Sequence, residues 1–326
     1  MAVYTEVSDE ALRAFLAEYD LGELRAYRGI AEGVENSNYA LQTGAGDFIL
    51  TLYEKRVDPA ELPYFLGLMQ HLAARGLACP QPVAARDGQA LRILAGRPAA
   101  ICTFLPGVWP RRVRPEHCAP LGEALAKLHA AGADFPGRRP NALGPAGWAP
   151  LLERCRAEGD GVQPGLVAQL DAALAGILAA WPAAGALPAG QIHADLFPDN
   201  VFFLMDAAGR PYVSGLIDFY FACTDLLAYD LAVCLNAWCF EPDGAYNVTK
   251  AHALIAAYHG RRPLVAAERA ALPVLCRGAA LRFLLTRLFD WTSTPPGALV
   301  TRKDPLEYLR KLRFFAAAAG PEALGA

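Results

Sequence analysis

HADLFPDN, residues 193–200, is the stretch on which the reading of this chain turns. It spaces three polar side chains as His193-x-Asp195-x-x-x-x-Asn200, with Pro198 inside the turn. Just before it, Gly190–His193 is short and β-rich. After it come Val201–Leu204 and Tyr212–Asp218, two apolar runs of strand length, the second closing on Ile217-Asp218-Phe219. Short apolar runs bounded by turn residues read as strands. Asp195 and Asn200 therefore lie on a loop between strands, and Asp218 lies at the end of the next strand. Plainer readings exist for each. Asp and Asn are ordinary turn formers, and a lone histidine is most often a core residue. A carboxylate closing an apolar strand is costlier to explain without a cation.

Phosphoryl transfer is the chemistry that asks for this set. The transferred group needs positioning and charge neutralisation more than covalent help. One carboxylate must meet the attacking hydroxyl, which is the role expected of Asp195. Magnesium at a triphosphate needs hard oxygen ligands, and the amide oxygen of Asn200 and the carboxylate of Asp218 supply them. Strands on both sides of the loop give these groups rigid supports.

Working outward, the first hundred residues read as strands with an interposed helix. Ser8 is placed to cap a helix over 8–19, with Asp9 and Glu10 at its positive end. Asn38–Thr43 and Asp47–Tyr53 are β-rich runs joined by Gly44-Ala45-Gly46, a hairpin signal. Asp58-Pro59-Ala60-Glu61 opens a second helix whose apolar residues run from Leu62 to Ala73 at helical spacing. Two further β runs flank Asp87-Gly88, and Pro98–Leu105 is a third. Past Pro106-Gly107 the pattern is mainly helical: 115–131, 148–157, 164–181, 226–239, 247–259, 266–290 and 304–319. The expected fold class is therefore α+β, with an N-terminal lobe over 1–105 and a larger, mainly helical lobe over 106–326.

Composition narrows the rest. Over 326 residues, 54% are apolar and 19% charged, enough for a sizeable core. The 30 basic and 33 acidic residues leave a net charge of −3, which gives no reason to expect nucleic acid or an anionic membrane surface as a partner. The eight cysteines form no Cys-x-x-Cys pair and sit mostly in apolar runs, which suits reduced buried thiols in the cytoplasm. Ala172–Ala194 is interrupted by Pro182, Pro188, glycines, Gln191 and His193, so no membrane span is expected.

With Leu125-Ala126-Lys127-Leu128-His129, the 193–200 loop, Asp218 and Tyr229-Asp230-Leu231-Ala232 in view, the whole chain resembles the aminoglycoside-phosphotransferase-like kinases, which share the two-lobed protein-kinase-like fold. Within that family it looks most like the homoserine kinases. EGVENSNYAL (32–41), ILTLYEKR (49–56), LPYFLGLMQHLAARGL (62–77), HADLFPDNVFF (193–203), LIDFYFACTDLLAYDLAVCLNAWCF (216–240) and DPLEYLRKLRF (304–314) carry the closer likeness. The resemblance implies an N-terminal nucleotide-binding lobe, a C-terminal catalytic and substrate-binding lobe, ATP and Mg2+ as cofactors, and L-homoserine as the small-molecule substrate on the way to threonine. It implies that His193 braces the loop and Asp230 bonds the loop backbone. It also implies that the 29–38 hairpin, with Gly33, Asn36 and Ser37, covers the phosphates, and that 102–105, with Thr103 and Leu105, meets adenine through backbone groups.

One position departs from the family pattern. Relatives often carry a lysine on the second hairpin strand for the phosphates, and here that place falls on Thr51. Lys55 and Arg56 are the nearest cations, so either one of them substitutes or backbone N–H groups and magnesium hold the phosphates. A zwitterionic substrate also needs a cation for its carboxylate. Arg282 is the first candidate, with Arg287 beside it on the same helix, although ion pairing would explain both. Two other readings stay open: a kinase for another small hydroxyl compound, such as an aminoglycoside or amino alcohol, and a nucleotide-binding pseudokinase. Residues 216–246 hold only five acids (Asp218, Asp225, Asp230, Glu241 and Asp243), a poor match to a polycationic substrate. Oligomeric state is unspecified, and a monomer is compatible.

Overall fold

Ser8 begins the first helix as its sequence suggests, its side chain accepting the Ala11 N–H at 3.2 Å, and α1 runs Asp9–Leu16. The computed structural model describes residues 4–30, 36–54, 58–294 and 302–326. The chain divides into two units. One is Met1–Gly107 with Phe135–Gly137 and Ser214–Tyr220, and the other is Val108–Asp134, Arg138–Val213 and Phe221–Ala326.

The first unit is built on an antiparallel sheet in the order β1-β2-β3-β5-β4, from β1 (Leu24–Gly29), β2 (Ser37–Thr43), β3 (Gly46–Leu52), β4 (Leu91–Leu94) and β5 (Arg97–Thr103). The β2–β3 register pairs Tyr39 with Leu50 and Leu41 with Phe48. Alternation along β2 buries Ser37, Tyr39, Leu41 and Thr43, as expected for a strand with one face on a core. Asp58 caps a short 3-10 turn by accepting the Ala60 N–H at 2.9 Å, and α2 (Leu62–Ala74) follows, burying Leu62, Phe65, Leu66, Leu68, Met69 and Leu72. One expectation fails here. Only the run after Asp87-Gly88 becomes a regular strand, β4. Before it, Pro82 makes a lone bridge to Cys102. Pro80 and Pro82 have no N–H to donate to a ladder, which stops that run from extending.

The second unit contains α3 (Pro115–Ala131), α4 (Pro145–Val162), α5 (Leu166–Ala180), β6 (Ala189–Ile192), β7 (Val201–Met205), β9 (Cys223–Leu226), α6 (Leu227–Trp238), α7 (Val248–Arg261), α8 (Ala266–Ser293) and α9 (Pro305–Ala317), while β8 (Pro211–Leu216) spans the division. β6 pairs with β9, from Ala189 opposite Leu226 to Ile192 opposite Cys223, and β7 pairs with β8. From sequence, residues 223–225 carry no assignment and Leu226 falls in the helix expected over 226–239, because four residues are too few for a period to show. Helix α6 is apolar on nearly every side and is buried at all positions but Ala237, the expected fate of such a helix. α3 lies so close to α7 that a Cβ at Gly122 would stand 2.2 Å from the Leu254 carbonyl oxygen, so glycine is required there. Among the described residues, no helix is long and apolar enough to cross a membrane.

Candidate active site

The 193–200 loop joins β6 to β7, and most backbone groups from His193 to Phe197 have a hydrogen-bond partner. Asp230, from the first turn of α6, accepts the His193 N–H on Oδ2 and the Ala194 N–H on Oδ1, both at 2.8 Å. The Ala194 carbonyl accepts from Arg282 Nη1 at 2.9 Å. The Asp195 N–H donates to His193 Nδ1 at 3.3 Å, which places the imidazole proton on Nε2. The Asp195 carbonyl accepts from Asn200 Nδ2 and from the Phe197 N–H, both at 2.8 Å. The Leu196 carbonyl accepts from the Trp238 indole at 2.7 Å, and the Phe197 carbonyl accepts the Asn200 N–H at 2.9 Å. Buried backbone groups demand such partners. Here they come from α6, α8 and the loop itself.

This bonding sets the chemistry of two side chains. Asn200 Nδ2 also reaches Asp195 Oδ2 at 3.3 Å, so the amide is turned with its nitrogen toward Asp195, leaving Oδ1 as its hard acceptor. Asp195 is half-buried, with Oδ1 3.4 Å from Arg282 Nη1. A carboxylate on a fixed loop, oriented by an amide on one oxygen and a guanidinium on the other, is suited to orient a hydroxyl and take its proton. His193 is fully buried and acts on the loop, since it is enclosed within the unit.

Asp230 is enclosed too, and its charge is maintained by a chain of donors. Burial by itself would raise its pKa; the hydrogen bond from His129, then that from the His193 backbone N–H, hold it below the usual carboxylate value. An ionised Asp230 only accepts, so His129 donates from Nε2 at 3.1 Å and its Nδ1 accepts from the Tyr258 hydroxyl at 2.8 Å. Arg262 Nη1 donates to that hydroxyl at 3.1 Å and pairs with Glu268 at 2.9 Å. Sequence reasoning did not assign Tyr258, Arg262 or the Trp238 indole to the site. The only available signal was the Leu125-to-His129 spacing, which puts His129 on the buried face of α3.

Ala194 has φ +63° and Asp218 has φ +65°, two of the few left-handed non-glycine residues among those described. This conformation costs a non-glycine residue roughly 1–2 kcal/mol. Asp218 follows β8 and lies in the first unit, where its charge is felt by the buried phenols of Tyr53 and Tyr220. Those phenols bond each other at 3.1 Å. Burial is the larger cause of their raised pKa values.

The residues expected at the nucleotide side sit differently. Thr51 is buried and donates to Asn38 Oδ1 at 2.8 Å. Ser37 is fully buried; its hydroxyl accepts the Tyr4 and Thr5 N–H groups and donates to Glu54 at 2.8 Å. Asn36 accepts the Glu54 N–H at 3.2 Å. Thr103 accepts the Gln81 N–H at 3.0 Å. Leu105 packs on Gly215, where a Cβ would come within 2.9 Å of it. Gly33, Lys55 and Arg56 lie outside the described residues. Arg287 is occupied by Glu307 at 2.6 Å, as ion pairing would have it.

An antiparallel sheet with two helices, a mainly helical second unit and a bonded His-x-Asp-x-x-x-x-Asn loop together define a kinase of the two-lobed protein-kinase-like class. The comparisons with known proteins agree. A model of the phosphotransferase enzyme family matches residues 26–264, and the chain belongs to that family. It is 69% identical over 325 residues to the homoserine kinase of Gluconacetobacter diazotrophicus and 66% identical to that of Granulibacter bethesdensis, covering 100% of both chains in each case. The crystal structure of an aminoglycoside phosphotransferase from Alicyclobacillus acidocaldarius superposes with a TM-score of 0.65 at 16% identity, covering 96% of this chain and 93% of that one, which shows the fold.

Proposed function

We propose that this chain transfers the γ-phosphoryl group of ATP to the hydroxyl of L-homoserine, giving ADP and O-phospho-L-homoserine, a step toward threonine. The observation that carries the choice of substrate is identity of 61–69% along essentially the whole chain to relatives named homoserine kinase.

In this reading, residues 1–105 form the nucleotide-binding lobe and residues 106–326 the catalytic and substrate-binding lobe. Asp195 orients the substrate hydroxyl. As the new O–P bond forms and the bond to the ADP leaving oxygen breaks, the hydroxyl proton passes to the Asp195 carboxylate. Transfer of this kind rests on alignment, and the bonding of loop 193–200, with His193 as its internal brace, supplies it. Asn200 and Asp218 fit magnesium by donor type, since an amide oxygen and a carboxylate are the hard ligands it takes. When bound there, the ion would offset charge on the β- and γ-phosphates. Arg282 is the cation next to Asp195 and would bias the site toward the substrate carboxylate.

At the nucleotide side, the side chains of Asn36, Ser37 and Thr51 are occupied within their own unit, so their contribution falls to backbone groups, as does that of Gly33, while Lys55 is the cation proposed to stand in for the missing strand lysine. Thr103 and Leu105 would meet adenine in the same way. The cytoplasm is the proposed location.

Coupled measurement of ADP release decides the function. Turnover on L-homoserine well above that on amino alcohols and aminoglycosides is expected. Turnover confined to those other alcohols, or ATP binding without turnover on any of them, would overturn the proposal.

A further inference from the structure

Ala194 is gripped from both sides by charge. Its N–H points to the Asp230 carboxylate at 2.8 Å and its carbonyl to the Arg282 guanidinium at 2.9 Å. Its φ of +63° belongs to the left-handed region, which an alanine leaves readily unless its surroundings hold it. Asp195 is the next residue, so the Ala194–Asp195 peptide plane sets the direction of the Asp195 side chain.

Arg282 is built for this grip. It is only 4% exposed, although arginine is seldom buried without a partner. Its guanidinium carbon lies 3.8 Å from the Phe283 ring centroid and 5.2 Å from that of Phe221. Phe283 in turn packs on Phe197 of the loop at 4.8 Å. The same Nη1 that holds the carbonyl is 3.4 Å from Asp195 Oδ1, a longer and weaker contact than the one to the backbone.

We propose that Arg282 is a positioning residue for the reaction. Together with Asp230 it clamps the Ala194 peptide in its left-handed conformation, and through that peptide it aims Asp195. The proposal rests on Asp195 being the catalytic carboxylate, and it assigns Arg282 a loop-directed duty beyond any charge it lends the substrate.

Glycine separates the two duties, because it takes a left-handed φ at no steric cost. Steady-state kinetics on R282M, A194G and R282M/A194G, varying homoserine and ATP in turn, form the test, with D195N run alongside. R282M should lose about 30-fold or more in kcat while the homoserine KM stays within about threefold. The double variant should regain at least about fivefold of that kcat, since glycine supplies the conformation the clamp enforced. A tenfold or greater rise in homoserine KM with kcat preserved would make Arg282 a substrate contact and overturn the proposal. A double variant no faster than R282M would overturn it as well. Should R282M not fold, R282K with and without A194G carries the same comparison, because lysine offers a charge without the planar fork. D195N retaining full kcat would instead defeat the catalytic assignment of Asp195, an outcome readable apart from the rescue.

Discussion

The 193–200 loop and the 36–54 hairpin treat their polar side chains in opposite ways. In the loop, the buried polar groups bond the backbone so that Asp195 and one face of Asn200 are left to act. In the hairpin, Asn36, Ser37, Asn38 and Thr51 bond one another, Glu54 and the irregular segment before α1. The lesson is that one region works through side chains held by backbone contacts. The other works as a rigid shell whose side chains are spent on stability. Substitutions should therefore cost turnover in the loop and stability in the hairpin.

The largest effect expected is that of D195N. On the proposed mechanism it removes the proton acceptor and should lower kcat about a thousandfold, within the range for loss of a general base, while ATP binding survives. Equilibrium nucleotide binding and single-turnover phosphoryl transfer would check it, and unchanged kcat would erase the contrast at its strongest point. D230N should come next. Asn cannot accept both N–H bonds and the His129 bond, so one buried donor is stranded, and kcat should fall roughly 30- to 100-fold through a misaligned loop. D218N should raise the magnesium concentration for half-maximal rate about tenfold or more; an unaltered magnesium dependence would remove it from the metal site.

The hairpin should respond in the other currency. S37A strands the Tyr4 and Thr5 backbone N–H groups and removes one of the donors to Glu54, which keeps Thr5 and Arg97, and urea unfolding should show a loss of about 1–3 kcal/mol, with little movement in the KM for ATP. A strong rise in that KM would put the hydroxyl on the nucleotide and blur the comparison. The smallest effect concerns Glu307, which is partly exposed and bonded to Arg287 and Lys311. Burial would raise its pKa, but those two cations bring it down to about 2. Its folded value thus lies below the unfolded value of about 4.3, so the stabilisation is complete above that pH and is lost as the pH falls toward 2. E307Q should cost about 1 kcal/mol at neutral pH after allowance for solvent, and flatten the stability profile below pH about 4.

The loop was legible in sequence because its chemistry fixes residue types at fixed spacing. Likewise, α1, α2 and the helices of the second unit announced themselves by caps and period, with boundaries shifted by a few residues. What stayed hidden had no local signature. β9 is four residues long and owes its existence to β6. The Asp230 partner His129 comes from α3, over a hundred residues upstream, its own partner Tyr258 comes from α7, and only tertiary packing brings the two together. Arg282 was noticed as a cation near the site, but its hold on the Ala194 carbonyl depends on the left-handed turn there, which no residue type advertises. Thr51 was flagged by what is missing from it; that it is tied to Asn38 could not be read from either residue alone.

All eight cysteines are buried and unpaired, and burial pushes the thiols of Cys79, Cys102 and Cys118 up to about 12 and that of Cys155 to about 11. A thiol in that state is a poor nucleophile at neutral pH. Alkylating probes should pass over the native fold and mark only molecules that have opened. Cys79 and Cys102 belong to one unit and the remaining six to the other. Peptide-resolved labelling rates would therefore time the opening of each unit separately, without any engineered tag.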